Sequence, residues 1–179
     1  RIQRVDGNTT PAFGHQVTFK PSAKLTVNSS SFIGNDKPDS VSQLRYFHNL
    51  YAVYQISGKF GVTAVLDIGA EQKSKGSSQY NTWYTPALIV RFSPTEQFSL
   101  AARGEYYQDK NGVIINTGTP NGIQTWGCSV NADYNIFSNV VWRIELRNLS
   151  NKNDAIYSDK KNNRKKDNMM AVTALAVSF

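Results

Sequence analysis

Hydrophobic residues recur at every second position over long stretches of this chain. Trp126, Cys128, Val130, Ala132, Tyr134 and Ile136 alternate with Thr125, Gly127, Ser129, Asn131, Asp133 and Asn135. Val140, Trp142, Ile144 and Leu146 alternate with Val141, Arg143, Glu145 and Arg147. Phe98 to Tyr106 and Phe60 to Ile68 read the same way, and the final stretch sets Thr173, Leu175, Val177 and Phe179 on one side. A period of two sustained this often is β-structure with two unlike faces. It predicts nine strands, near 13–20, 24–32, 43–56, 60–71, 79–92, 97–108, 123–136, 140–149 and 168–179. Soluble strands usually run about 5–6 residues, whereas these approach the ~9–11 that a tilted strand needs to cross a bilayer. A soluble sandwich would hide the apolar face against a second sheet, and a lipocalin-like binder would turn it inward. A membrane barrel turns it outward.

The connections separate these readings. Lys20–Lys24, Ser57–Lys59, Ser93–Gln97 and Phe137–Asn139 are short, and Gly34–Ser42, Gln72–Ser78, Asp109–Asn121 and Ser150–Asp167 are long. Short and long alternate throughout, as in outer-membrane barrels with tight periplasmic turns and long outer loops. Phe19, Phe60, Phe92, Phe98, Phe137 and Phe179 flank the short turns, while Tyr46, Tyr80, Tyr84, Tyr106 and Trp126 sit toward the long loops. Two such bands resemble the interfacial aromatic belts of a membrane barrel. Two residues resist the scheme. Pro86 removes a ladder donor and suggests a bulge or kink, and His48 falls on the lipid parity, where a register shift is the simpler explanation.

The predicted fold class is an all-β, antiparallel up-and-down transmembrane β-barrel. With the C-terminus in the periplasm, tracing strands backward leaves residues 1–12 on the outer side. Arg1–Val5 is then expected to complete an ascending strand, and residues 1–179 read as a single β-barrel region, the C-terminal portion of a longer barrel. A complete barrel of eight or ten strands is the alternative.

Composition agrees. Mean hydropathy is −0.44, and no run approaches the ~18 apolar residues of a spanning helix. Cys128 is the single cysteine, which excludes an internal disulfide and a cysteine-built zinc site. Two histidines, no glycine-rich phosphate loop and no nucleophile elbow leave no catalytic residue, cofactor or metal expected. A lipid-facing His48 superficially resembles an outer-membrane phospholipase, a reading that rests on one residue.

The parity opposite the apolar one would line the lumen. Its charged members are Arg45, Asp67, Glu71, Arg91, Arg103, Glu105, Asp133, Arg143, Glu145 and Arg147, five bases and five acids. Asp133 with Arg143, Glu145 and Arg147 is expected to form a screened ion-pair ladder. Most of these charges would hold and hydrate the wall; the other role is an ion-selecting constriction. The net charge of +7 concentrates in the last long loop, with Lys152, Lys160, Lys161, Arg164, Lys165 and Lys166. That loop reads as solvated and mobile, and a basic surface there could also contact lipopolysaccharide phosphates or draw anionic solutes to the mouth. Nucleic acid is not an expected partner, because wall aromatics lie opposite the charges rather than among them.

A family resemblance covers nearly all of the chain. It is carried by Phe19-Lys-Pro-Ser-Ala-Lys-Leu-Thr-Val27, Ser31-Phe-Ile-Gly-Asn35, Pro38-Asp-Ser40, Gln43-Leu-Arg-Tyr-Phe47, Lys59-Phe-Gly61 and Asp67-Ile-Gly69. Ala101-Ala-Arg-Gly-Glu-Tyr-Tyr107, Trp142-Arg-Ile-Glu145 and the terminal Ser178-Phe179 continue it. Together these resemble the C-terminal half of the OmpL-like β-barrel porins, common in Bacteroidota. The resemblance implies a Gram-negative outer-membrane barrel with porin-like function and carries over no catalytic residue. The expected function is passive diffusion of small hydrophilic solutes, and the alternative is an accessory barrel subunit of an envelope complex with a plugged lumen. Expected partners are outer-membrane lipids and lipopolysaccharide, the barrel-assembly machinery, which would read Phe179 on the last strand, and an envelope protein complex.

Overall fold

Side-chain alternation resolves into nine long antiparallel strands in the computed structural model, which describes residues 5–179. They are β1 (Phe13–Ser22), β2 (Leu25–Asn35), β3 (Leu44–Gln55), β4 (Phe60–Gln72), β5 (Tyr80–Phe92), β6 (Phe98–Asp109), β7 (Ile123–Phe137), β8 (Val140–Asn151) and β11 (Asp167–Val177). Two short strands, β9 (Tyr157–Ser158) and β10 (Arg164–Lys165), pair within the connection between β8 and β11. The long strands lie in chain order, each hydrogen-bonded to its neighbours, so the expected up-and-down meander is present. Among the described residues β1 and β11 each have one strand partner, and the sheet is open between them. The strand expected over Arg1–Val5 falls outside the described residues, except for Val5, which is coil.

Strand length fits a bilayer. A strand of about 12 residues at ~3.3 Å per residue is about 40 Å long, and tilted by ~45° it crosses roughly 28 Å. Connections alternate in length as the sequence implies. Two residues join β7 to β8, and residues 110–122 join β6 to β7. The register is regular except between Phe19 and Ser22 and between Asn135 and Phe137, both beside short turns.

This regularity corrects two expectations. His48 lies between Ser31 and Ile68 in unbroken register, so no shift explains its outward position. It belongs instead to a small polar patch on the outer face. His15 Nδ1 lies 2.7 Å from Ser31 Oγ, His15 Nε2 lies 3.3 Å from Ser29 Oγ, and the two imidazoles are 6.3 Å apart. Polar groups that partner one another reduce the cost of facing hydrocarbon. Pro86 produces neither bulge nor slip. The β5–β6 pairing passes from Tyr84↔Gln108 to Ala87↔Glu105 without a change of register, and only the bridges at the proline are missing.

Burial is inverted relative to a soluble protein. Leu50, Leu66, Ile68, Leu88, Val130 and Leu146 are exposed on one face, whereas Asn28, Glu71, Thr125, Ser129 and Asn151 are buried on the other. The apolar side therefore points away from the enclosed side, which overturns the lipocalin-like reading. Outer-face aromatics meet across strands. Toward the long loops, Tyr84, Tyr106 and Trp126 form a chain with centroid spacings of 6.0 and 4.6 Å, and Tyr46 lies 6.0 Å from Tyr80. At the short-turn end Phe60 lies 6.4 Å from Phe92. Phe179 sits two residues beyond β11, fully exposed, after Ser178 N–H donates to Asn139 O at 3.0 Å.

Two glycines on opposite faces test this arrangement. On the inner face Trp83 lies across its cross-strand partner Gly69, where an added Cβ would stand 2.0 Å from the indole. On the outer face nothing lies within 4 Å of a Cβ built on Gly104. Gly69→Val is expected to lower stability by about 1–3 kcal/mol through overpacking, while Gly104→Val leaves it unchanged or slightly raised. Urea unfolding in liposomes, followed by tryptophan fluorescence, measures both, and equal effects would contradict the facing of these strands.

Candidate functional site

Because side chains alternate and the register is continuous, every second residue of each strand joins one polar inner face. All ten charged residues assigned to that parity lie on it. They divide into two groups with different partners.

The first group stands at the long-loop end of β3 and β4. Arg45 Nε donates to Glu71 Oε2 at 2.8 Å, and its Nη1 pairs with Asp36. Lys37 Nζ lies 3.1 Å from the other oxygen of Glu71, which is only 4% exposed. The Arg45 guanidinium also stacks 5.7 Å from the Trp83 ring centroid, reaching across Gly69 on β4. A buried carboxylate held by two cations and an arginine covered by an indole form a rigid cluster. Below it Asp67 accepts a hydrogen bond from Asn49 Nδ2 at 2.6 Å. Asp36, Arg45, Asp67 and Trp83 border a cavity of about 590 Å³, together with Phe47, Tyr107 and Ile114.

The second group lies on β5 to β8. Arg143 grips Asp133 with two parallel bonds of 2.7 and 2.6 Å, a bidentate pair. Arg147 does not join that pair. It donates to Glu105 Oε1 at 2.5 Å, while Arg103 pairs with Oε2 of the same carboxylate. Glu105 on β6 reaches Arg147 on β8 by crossing β7 at Gly127, where an added Cβ would stand 2.7 Å from the glutamate side chain. The expected ladder of Asp133, Arg143, Glu145 and Arg147 is thus formed only in its Asp133–Arg143 rung, because a glycine opens a path to a different acid. Arg91 Nη2 donates to Ser99 Oγ at 3.0 Å.

Three segments lean over the long-loop end. Residues 5–12 are tied down through Asn8 Nδ2, which donates to Asn35 O at 2.7 Å, and through the Thr9 and Thr10 hydroxyls, which donate to Asp39 at 2.6 and 2.7 Å. The 110–122 connection is anchored by Asp109, fully buried, whose carboxylate accepts N–H bonds from Val113, Ile114 and Ile115 at 2.7–3.1 Å. The loop expected to be mobile contains the β9–β10 hairpin. Its turn is closed by Asp159, which accepts N–H bonds from Lys161 and Asn163 at 2.8 Å, with Lys165 Nζ 3.3 Å away. Lys160, Lys161, Arg164, Lys165 and Lys166 are exposed on it. Order here comes from one carboxylate satisfying a turn, a signal that Asp-x-x-x-Asn spacing carries only faintly.

Hydrogen bonds from the Thr9 and Thr10 hydroxyls hold the Asp39 carboxyl at about 2, against an ordinary 3.8, and the Asn163 N–H does the same for Asp159. Folded values below unfolded ones mean that both tethers contribute fully above about pH 4 and are lost as pH falls toward 2. Amide-exchange protection at Thr9, Lys161 and Asn163 is expected to stay constant from pH 7 to 4 and to fall below that. A loss already at pH 6 would contradict these assignments.

The comparisons with known proteins agree with this geometry. The solved structure of the NanC porin superposes with a TM-score of 0.61 at 11% identity, covering 95% of this chain and 79% of that one. No curated protein matches the sequence. A family model described as "Putative beta-barrel porin-2, OmpL-like" matches residues 1–179, the whole chain. With an inverted nine-strand wall, a charged inner face and a family match over its full length, this chain belongs to the OmpL-like β-barrel porin-2 family of outer-membrane barrels.

Proposed function

We propose that the chain forms the wall of an open channel for passive diffusion of small hydrophilic solutes across the outer membrane. The observation that carries this reading is the inversion of the wall, with large apolar side chains exposed outside and charges collected inside. A water-filled lumen needs a polar inner face, and this one carries ten ionisable groups. The short turns and the C-terminus face the periplasm in this reading, and the long loops face outward, in keeping with loop length in bacterial barrels. The belts around Trp126 and Phe60 contact outer-membrane lipid and lipopolysaccharide acyl chains. Phe179, projecting beyond β11, serves as the signal read by the assembly machinery. The nine strands form part of a larger wall, in which the edges of β1 and β11 that are open among the described residues gain partners, since unpaired backbone groups are costly in hydrocarbon.

An accessory subunit with a closed lumen is the competing reading, and the segments 5–12 and 110–122 over the cavity are what favour it. Planar-bilayer recording of the full-length protein separates the two. Stable single-channel steps that scale with salt concentration are expected, and an absence of steps under conditions where the protein is inserted would overturn the channel reading.

A further inference from the structure

Sequence parity gives the inner wall matched acids and bases, but the fold places its arginines unevenly around the circumference. Strands β3 and β4 carry Arg45 against Asp67 and Glu71, an excess of one negative charge. Strands β5 to β8 carry Arg91, Arg103, Arg143 and Arg147 against Glu105, Asp133, Glu145 and the fully buried Asp109, so four of the five inner-face arginines of β3 to β8 stand on this side. Read from the long-loop end downward, Arg147 stands highest on β8 and Arg143 lies four residues below it, about 13 Å along the strand. Arg103 and Arg91 complete the series on β6 and β5, with Arg91 beside the short turn.

The Arg103–Arg147 pair is the incomplete point in this series. Two guanidiniums share one carboxylate, Glu105, and among the described residues neither has a second salt bridge, with Glu145 the next acid along β8. Among the described residues the Nε atoms of both arginines lack a hydrogen-bond partner. Those Nε atoms are buried, while the side chains as a whole are 38% and 29% exposed on the inner face. Any solute carboxylate or phosphate would be met by the outer Nη groups, whose N–H bonds Glu105 does not all use.

The β9–β10 hairpin lies over the same side. Tyr157 Oη is 3.1 Å from Oγ1 of Thr125, an inner-face residue that is 5% exposed. Asp154, in the same connection, accepts bonds of 3.3 Å from the backbone and side chain of Asn121. The hairpin is thus rooted on the inner side of the wall at Thr125, and Lys160, Lys161, Arg164, Lys165 and Lys166 are exposed on it. The basic mouth and the arginine series are therefore stacked on one wall.

Resting on the channel reading above, we propose that the β5–β8 side of the lumen is an anion path. The basic hairpin gathers small carboxylate- or phosphate-bearing solutes at the mouth, and Arg103 with Arg147 forms the subsite that receives them. Solutes then pass Arg143 and Arg91. Long-range attraction by the hairpin and short-range pairing at the arginines differ in their salt dependence, because the screening length falls from ~10 Å at 0.1 M to ~3 Å at 1 M.

Zero-current potentials across a planar bilayer under a KCl gradient test this directly. The full-length protein is expected to prefer chloride over potassium. Arg103→Gln with Arg147→Gln is expected to lower that preference by about threefold per charge at ~7 Å in water-like dielectric, while the Arg→Lys pair retains it. Glu105→Gln is expected to raise it. Lys160→Glu with Lys161→Glu should lower it at 0.1 M and not at 1 M. Added gluconate and added inorganic phosphate distinguish the two solute chemistries, the bound one reducing chloride current in the full-length protein and not in the Arg→Gln variant. A conducting channel without chloride preference, or a preference unmoved by the arginine and glutamate variants, would overturn the proposal alone. Absence of any conductance would overturn the channel reading and this inference with it.

Discussion

Hydrocarbon offers no partner to a backbone N–H or C=O, and that constraint underlies every level of this structure. A chain meeting it with strands must satisfy each amide laterally, which demands long strands in regular antiparallel register. The nine long strands run 10 to 15 residues, and each interior one is paired on both sides. The ladder tolerates a single internal interruption, at Pro86, where the missing donor removes bridges yet leaves the register on either side intact. Register has to survive because a slip of one residue would turn Arg143 toward lipid and Trp142 toward the lumen.

With register held, the two faces can specialise. The outer face needs only apolar area and interfacial aromatics, and small residues such as Gly104 cost it little. The inner face carries the energetic risk, since charges in a partly enclosed space must find partners or water. Glycine resolves part of that problem. Gly69 lets Trp83 lie flat over β4 and stack on Arg45, and Gly127 lets Glu105 span β7 to reach Arg147. In both cases a missing side chain on the middle strand joins residues two strands apart. The inner wall is therefore a cross-braced network rather than a set of nearest-neighbour pairs.

The fold was legible in the sequence because a period of two is a direct imprint of the pleat. All nine strands and the alternation of short and long connections follow from parity and turn residues. Parity also placed Arg45, Glu105, Arg147 and the other charged inner-face residues on one side. It could not say which acid each arginine would meet. Arg147 finds Glu105 rather than Asp133 because of where Gly127 falls in the β6–β7 register, a long-range relation absent from any local window. Trp83 is visible in the sequence as an aromatic on the polar parity of β5, a position that signals inward packing. The order of the β9–β10 hairpin was hidden for a different reason. A run of lysines and arginines looks like a solvated loop, while the interactions that fold it, at Asp159 and at Tyr157, involve single residues. His48 shows the limit of parity reasoning from the other side. It faces outward in unbroken register, against the expected shift, and its companions His15, Ser29 and Ser31 come from two other strands.

The central claim is that even- and odd-numbered residues of β7 face lipid and lumen respectively. Cys128, the single cysteine, stands on the outer face, so thiol accessibility in liposomes tests this claim most directly. With Cys128 in place, a water-soluble maleimide should react poorly, and a label attached there should be quenched by bromine on the acyl chains. Moving the thiol one position, in Cys128→Ala with Ser129→Cys, should reverse both results, and repeating this from residue 125 to 135 should give an alternation of period two. Uniform accessibility along β7, or alternation in the opposite phase, would contradict the account.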